Sequence, residues 1–388
     1  MIFYYKIEYC ITRLIPCKEE NTVLLVRTDN IGDFILWSDS AKEYKKHYYN
    51  NKITLICNSS CYDIAKNLLY FDEVIKVSPN KFLRQFIYRL KFLIKLSKRK
   101  FQIIISPTYS KDFFVTDTMI HCLKSDEKVG FRGDYTNIKT NLRIFGFSDN
   151  KKEKIKRHLN KQSLHFYTML VEPTNGNVME LNRNAEFIRG FLNKDFLSSI
   201  PNPPLNLPTI DNLPKDYVVI FIGASSMNKL WQEEKYAEVI NSLNENIVIC
   251  GGKGDIVVWD KIKEYVYNDK HVINLVGKTN ILELFAVIKD AKYLVTNDTS
   301  ASHIAPMVHT PSVVLLPGVF YGRFHPYAPE MMIDNIYIPN VVNYPMDCYQ
   351  CHNICDKVKD KIHTWPCIAN IQVEQVLNKI EEIRKQIS

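Results

Sequence analysis

Residues 23–33 read Val-Leu-Leu-Val-Arg-Thr-Asp-Asn-Ile-Gly-Asp, and their order decides the fold. The aliphatic run 23–26 does not alternate with polar residues, as expected of a strand covered on both faces in a parallel sheet. Gly32 lets the chain turn tightly. Asp33 then falls at or just inside the start of a helix, where an acid meets the positive end of the macrodipole. A strand, a turn and a helix in this order open a βαβ array.

Working outward, similar short runs recur at 53–57, 74–77 and 103–106. The stretches between and after the runs, 34–49, 61–69, 82–99 and 112–123, are long enough for helices, which completes a Rossmann-like first half. Pro201, Pro203, Pro204, Pro208 and Pro214 then interrupt any regular element. Beyond them the alternation resumes with runs at 217–222, 247–250, 272–275, 293–296 and 312–316. The predicted organisation is a first domain over 1–200, a linker over 201–214, a second domain over 215–345, a Cys-rich segment over 346–367 and a terminal helix over 368–388. In that last stretch Val373, Val376, Leu377, Ile380 and Ile383 mark one apolar helical face.

A chain of 388 residues is too long for one ordinary core. Its 46% hydrophobic and 24% charged residues fit a globular enzyme rather than a disordered or fibrous chain. Fifty basic against 42 acidic side chains leave a net charge of +8, with lysines gathered in 91–100 and 151–161. Such clusters suit an anionic lipid surface, a phosphorylated glycan or simply a solvated helix face. There is no C2H2 zinc-finger spacing and no RNA-binding aromatic motif, so nucleic acid is set aside. Lys6, Glu8 and Arg13 break the aromatic-rich stretch 1–21, and no apolar run reaches the roughly 18 residues of a membrane span. The expected location is cytoplasmic, at most peripheral at the inner face of the membrane.

Ligands of open parallel sheets bind beyond the carboxyl ends of the strands, which makes four segments candidates. Arg27 to Asp33 offers a carboxylate that is either a helix-end acid or aimed over the strand ends. Ile222-Gly-Ala-Ser-Ser-Met-Asn-Lys-Leu-Trp231 has a turn free of bulk, hydroxyls at Ser225 and Ser226, and the charge of Lys229, which together suit a diphosphate. Gly251-Gly-Lys-Gly-Asp255 is a glycine-rich turn whose Asp255 could accept hydrogen bonds from ribose hydroxyls. Thr296-Asn-Asp-Thr-Ser-Ala-Ser-His303 leads into a helix whose first amides form an anion site, with His303 one turn in.

In order and spacing these segments resemble glycosyltransferase family 9, the heptosyltransferases, across most of 22–320. The matching features are Arg-x-Asp-x-Ile-Gly-Asp at 27–33, Gly-Ala and Lys-x-Trp within 223–231, and the Gly-Gly turn. Asn-Asp-Thr-Ser-Ala-Ser-His at 297–303 follows, then Pro311 and Leu316-Pro-Gly318. The resemblance implies an α/β GT-B fold: two Rossmann-like domains facing a central cleft, with the C-terminal helix packing back on the N-terminal domain. It implies an inverting glycosyltransferase that moves a sugar, heptose from ADP-heptose above others, to a lipopolysaccharide core or related surface acceptor. Asp33 would be the catalytic base and Arg27 would face the acceptor. Ser225, Ser226, Lys229, Asp298, Thr299, Ser300 and His303 would hold the donor diphosphate, and Asp255 would lie near the nucleoside. No cofactor is required for this chemistry. Ser300 departs from the family's usual glycine but keeps the backbone amide. Two other classes stay open: a nucleotide-sugar epimerase on the same two-domain plan, and a non-catalytic scaffold.

Cys348-x2-Cys351-x3-Cys355-x11-Cys367 gathers four of the ten cysteines. Four thiolates at this spacing can form a tetrahedral zinc or iron site, with free thiols or disulfides as the alternatives. Some members of the resembled family, including those that glycosylate autotransporter proteins, carry an iron-binding cysteine-rich finger. That likeness keeps a protein acceptor in view.

Overall fold

The computed structural model describes residues 4–134, 148–328, 335–351, 355–358 and 363–387. Parts of the Cys-rich segment, 352–354 and 359–362, lie outside the described residues. The chain divides into two compact units, one of 1–176 and 181–198, the other of 177–180 and 199–388.

The first unit is built on six parallel strands: β1 (Lys18–Arg27), β2 (Lys52–Asn58), β3 (Glu73–Val77), β4 (Arg99–Ser106), β5 (Glu127–Phe131) and β6 (Met169–Val171), in the spatial order β3-β2-β1-β4-β5-β6. That is the doubly wound order, with its switch point between β1 and β4. Residues 23–26 are fully buried in register with Ile53 on one side and Ile103 on the other, as an unalternating run requires. The helix Ile31–His47 follows the turn. It is buried along most of its length, from Phe34 to Tyr44, with Asp39 matched by Lys42.

The second unit repeats the plan. β7 (Tyr217–Phe221), β8 (Asn246–Cys250), β9 (Val272–Asn274), β10 (Leu294–Asn297), β11 (Ser312–Leu315) and β12 (Asn340–Val342) lie in the order β12-β11-β10-β7-β8-β9, again all parallel. The expected two Rossmann-like α/β arrays are therefore both present.

Several details differ from expectation. β5, β6 and β12 were not read: β6 and β12 are only three residues long, and Lys128 and Gly130 interrupt the apolar run of β5. The stretch 82–99 holds not one helix but two, Pro79–Arg84 and Phe86–Ser97, parted at Gln85, whose backbone is extended. The N-terminal stretch forms a helix, Tyr4–Leu14, with Tyr5, Glu8 and Thr12 inward. The C-terminal helix Val373–Ile387 belongs to the second unit. Val373, Val376, Ile380 and Ile383 join the second unit's own core with Tyr293 and Val342, and Arg384 pairs with Glu245 at 2.5 Å.

Candidate functional site

At the end of β1 the chain turns through Thr28 to Asn30 into the helix Ile31–His47, which places Asp33 in its first turn. Asp33 is half-exposed, in the first turn of the helix. Arg27, predicted to face the acceptor, instead holds this turn from inside. It is 1% exposed and pairs with Asp29 at 2.7 Å. It also donates to the carbonyls of Pro107 (3.1 Å) and Asp33 (3.4 Å) and to Asn184 Oδ1 (3.1 Å). A guanidinium so enclosed fixes the backbone that carries Asp33. Asp29 and Asp33 both lie close enough to the buried Cys61 thiol to push it further up, after burial and Cys57. Beyond β4, Lys111 is buried over the Tyr167 ring (4.2 Å) and lies 3.6 Å from Asp117. Burial favours its neutral form, with Asp117 opposing. Its position in a loop offered no periodic signal by which to single it out.

In the second unit, three of the predicted segments meet at the carboxyl ends of β7, β8 and β10. Asn297 Nδ2 donates to the Gly223 carbonyl at 3.0 Å, which ties the end of β10 to the turn after β7, while Tyr236 donates to Asn297 Oδ1 at 2.8 Å. Gly223 is needed as glycine: a Cβ there would lie 2.4 Å from Asp255 Oδ2. Asp255 itself accepts the Gly252 amide at 2.7 Å, closing the glycine turn, and burial raises its pKa despite that bond. The same carboxylate thus packs two turns together. Ser225 and Ser226 stand exposed at the rim of the turn.

Lys229 and Asp298 form a buried pair, Nζ to Oδ2 3.3 Å, at side-chain exposures of 11% and 8%. Burial opposes the charged form of Asp298, but Lys229, joined at acid pH by the histidines once protonated, outweighs it and holds the carboxyl below its usual range. Burial, with His325 and Lys229 adding to it and Asp298 opposing, lowers His303 to about 3, and burial against Asp298 lowers His325 to about 4. At neutral pH both rings are therefore uncharged, and Lys229 is the cation that keeps Asp298 ionised.

The amide of Asp298, expected to face the diphosphate, is already donated to the Leu315 carbonyl (3.2 Å), so Asp298 enters through its hold on Lys229. Thr299 caps the helix Ser300–Met307 by accepting from the Ala301 amide, and the amides of Thr299 and Ser300 lie at its N-terminus. Those are groups left without intrahelical partners in any helix.

His303 and His325 stack 4.8 Å apart, and His303 Nδ1 meets Tyr327 Oη at 2.8 Å. Ser302 donates to the Thr299 carbonyl (2.7 Å), so its oxygen accepts from His325 Nε2–H at 2.9 Å. His325 Nδ1 is then a buried acceptor without a hydrogen-bond donor among the described residues. Asp298, His303 and His325 bring ligand-type atoms within 4.8 Å of one another, and Lys229 and Tyr327 each hydrogen-bond one atom, Asp298 Oδ2 and His303 Nδ1. His325 and Tyr327 lie in the stretch after Gly318 and escaped the sequence reading because no strand end points to them.

Cys348, Cys351, Cys355 and Cys367 line one small cavity of about 10 Å³ with Gly318, Tyr349 and Trp365, room for a single atom-sized guest. No disulfide joins these four cysteines. Burial raises Cys367, the Gly318 amide opposes this, and the other three sulfurs raise it further. Gly318 admits the Tyr349 ring, which a Cβ would meet at 2.2 Å. Beyond the cavity the chain is strapped to the lysine turn: Asn228 donates to the His363 carbonyl (2.6 Å) and Trp231 to that of Ile371 (3.2 Å).

Comparison with known proteins agrees with this geometry. Lipopolysaccharide heptosyltransferase 3 of Escherichia coli is 22% identical over 320 residues, 78% of this chain and 85% of that protein. Among solved structures, a glycosyl transferase family 9 protein from Veillonella parvula superposes with a TM-score of 0.67 at 16% identity, covering 94% of this chain and 97% of that one. The iron-containing heptosyltransferase TibC of enterotoxigenic E. coli, solved with ADP-D-beta-D-heptose, gives a TM-score of 0.51 at 14% identity, over 96% and 79%. Residues 120–335 match the family described as Glycosyltransferase family 9 (heptosyltransferase). With two doubly wound units and a lysine turn beside a helix N-terminus, this chain belongs to glycosyltransferase family 9 and is a transferase.

Proposed function

We propose that this enzyme transfers heptose from ADP-heptose to a lipopolysaccharide core or related surface glycan in the cytoplasm, with inversion at the anomeric carbon. The observation that carries the reading is the donor turn of the second unit, where Lys229 lies against Asp298 beside the N-terminus of the helix Ser300–Met307. Lysine and helix amides are the groups that bind and stabilise a departing diphosphate. Asp33 acts as the base: it takes the proton of the acceptor hydroxyl as that oxygen bonds to the anomeric carbon and the bond to the diphosphate breaks. Arg27 acts through the turn, holding Asp33 in place. Lys229, with the amides of Thr299 and Ser300, takes up the charge developing on the leaving group, and Ser225 and Ser226 supply hydroxyl donors. His303, neutral and held through Nδ1, offers a hydrogen bond rather than a charge. Asp255 lies toward the ribose.

A protein acceptor is the second reading, favoured by the four cysteines around one cavity and by the iron-containing relative. We assign those cysteines to one structural zinc or iron ion: four soft sulfur donors suit either metal, and a bound cation relieves the mutual repulsion of their thiolates. Its part is to order the segment strapped to the lysine turn. The test is ADP release from ADP-heptose with purified core glycan and, separately, with an autotransporter passenger protein. Turnover on the glycan supports the first reading, and turnover on the protein alone supports the second. Epimerised sugar nucleotide formed without any acceptor would overturn both.

A further inference from the structure

The outer face of the helices Tyr4–Leu14 and Phe86–Ser97 has no part in this chemistry. The two lie side by side, joined by the buried pair of Glu8 and Arg89 at 2.6 Å, with Tyr4 and Phe86 rings 5.2 Å apart at one end. The first helix turns Tyr5, Glu8 and Thr12 inward and leaves Lys6, Ile7 and Arg13 in solvent. The second buries Leu93, Leu96 and Ser97 and exposes Ile87, Lys91 and Lys95 at intervals of four. Tyr4, Ile7, Phe86 and Ile87 are 43%, 51%, 41% and 68% exposed, and large apolar side chains grouped in solvent mark a binding surface.

The charge around them is predominantly positive. No Asp or Glu occurs between Glu73 and Asp112, and Lys81, Arg84 and Lys98 are exposed there in addition. The first helix's sole acid, Glu8, is buried and neutralised. A third helix, Asp149–Leu164, adjoins the first through Tyr5 Oη and Gln162 Oε1 (3.5 Å) and exposes Lys151, Lys154, Arg157 and Lys161.

We infer that this face docks on an anionic phospholipid bilayer. Tyr4, Ile7, Phe86 and Ile87 enter the boundary between headgroups and acyl chains, and the surrounding cations meet lipid phosphates. Apolar anchors ringed by cations match both layers of such a surface, whereas a nucleic-acid backbone would use the cations alone. The inference rests on the surface itself. It deepens the proposed function by giving a lipid-linked acceptor a place to be met.

The experiment is co-sedimentation with vesicles of phosphatidylcholine, with or without phosphatidylglycerol, read beside turnover on a delipidated, soluble acceptor. The parent should bind the anionic vesicles and not the neutral ones. Lys91→Gln with Lys95→Gln should weaken binding about fivefold for each charge. Ile7→Ser with Ile87→Ser should weaken it further, with melting temperature and soluble turnover unchanged. The control pair Lys261→Gln and Lys263→Gln, exposed cations of the second unit, should bind like the parent. Equal binding to neutral vesicles, equal loss in the control pair, or no loss in the isoleucine pair would overturn the inference. Each of these is read without reference to ADP-heptose, so the failure of the proposed activity leaves the docking test intact.

Discussion

Replacing Lys229 by Met removes a charge while keeping an unbranched side chain, and the pairing of Nζ with Asp298 at 3.3 Å fixes what should follow. Asp298 is left as a buried carboxylate without its counter-ion, which costs about 3–5 kcal/mol. Many core substitutions cost as much, so the pH dependence is the sharper reading. In the parent, His303 is lowered to about 3 and His325 to about 4, from 6.5. A base whose folded pKa is depressed contributes stability above its unfolded pKa and loses it as pH falls toward the folded value. Between about pH 7.5 and about pH 5, one imidazole held near 4 therefore costs the parent about 2 kcal/mol. In Lys229→Met the lone Asp298 charge draws a proton onto a neighbouring ring, the histidine pKa rises, and the loss on acidification shrinks or reverses. Urea unfolding of both proteins at the two pH values measures this, and the difference between them cancels titrating groups elsewhere. A pH increment unchanged to within about 0.5 kcal/mol would refute the coupling.

Asp33→Asn keeps size and hydrogen bonding but cannot accept the proton. Turnover should fall about a hundred- to ten-thousand-fold with ADP-heptose affinity and melting temperature retained, and near-normal turnover would remove Asp33 from the mechanism. Gly223→Ala puts a methyl 2.4 Å from Asp255 Oδ2, so the carboxylate must leave the Gly252 amide. Stability should drop by about 1 kcal/mol, the scale of a lost capping bond, and calorimetry should show weaker ADP binding; parental ADP affinity would mean the glycine turn does not shape the nucleotide site. Changing any one of Cys348, Cys351, Cys355 or Cys367 to Ser should lower both metal content and melting temperature. Elemental analysis of chelator-free protein giving under about a tenth of an equivalent of zinc plus iron would contradict the ion.

The layered fold was legible because β1, β2, β7 and β10 are buried on both faces, and burial on both faces writes itself as an unbroken aliphatic run. β6 and β12 leave no such trace at three residues each. The terminal helix showed its apolar stripe plainly, but a stripe states that a face is buried and not against which sheet. Lys229, Asp298 and His303 could be picked out because each follows a strand end. His325, Tyr327 and Tyr236 could not: they come from loop or helix positions and matter through contacts 20 or more residues away in sequence, such as Ser302 to His325 and Tyr236 to Asn297. Arg27 was found in the right motif and given the wrong neighbour, because a motif does not show whether a long side chain turns out to solvent or back under its own loop.

An acid beside a phosphate-type turn is at first sight out of place, since Asp298 should repel a diphosphate. Its surroundings resolve the conflict. Two imidazoles lie against it, and burial keeps both neutral, so Lys229 alone balances the carboxylate. The pair holds Lys229 by a hydrogen bond at the end of β10 instead of letting a long side chain sample solvent. The same pairing means that, before a donor arrives, the lysine charge is already half spent. In the proposed transfer, charge would grow on the leaving oxygens as the sugar's bond to the diphosphate breaks, and the lysine's balance would shift from Asp298 toward them. An interaction that strengthens only as that charge develops lowers the barrier rather than merely tightening the ground state. On the proposed function, the acid at this turn would share in the catalytic design with the lysine.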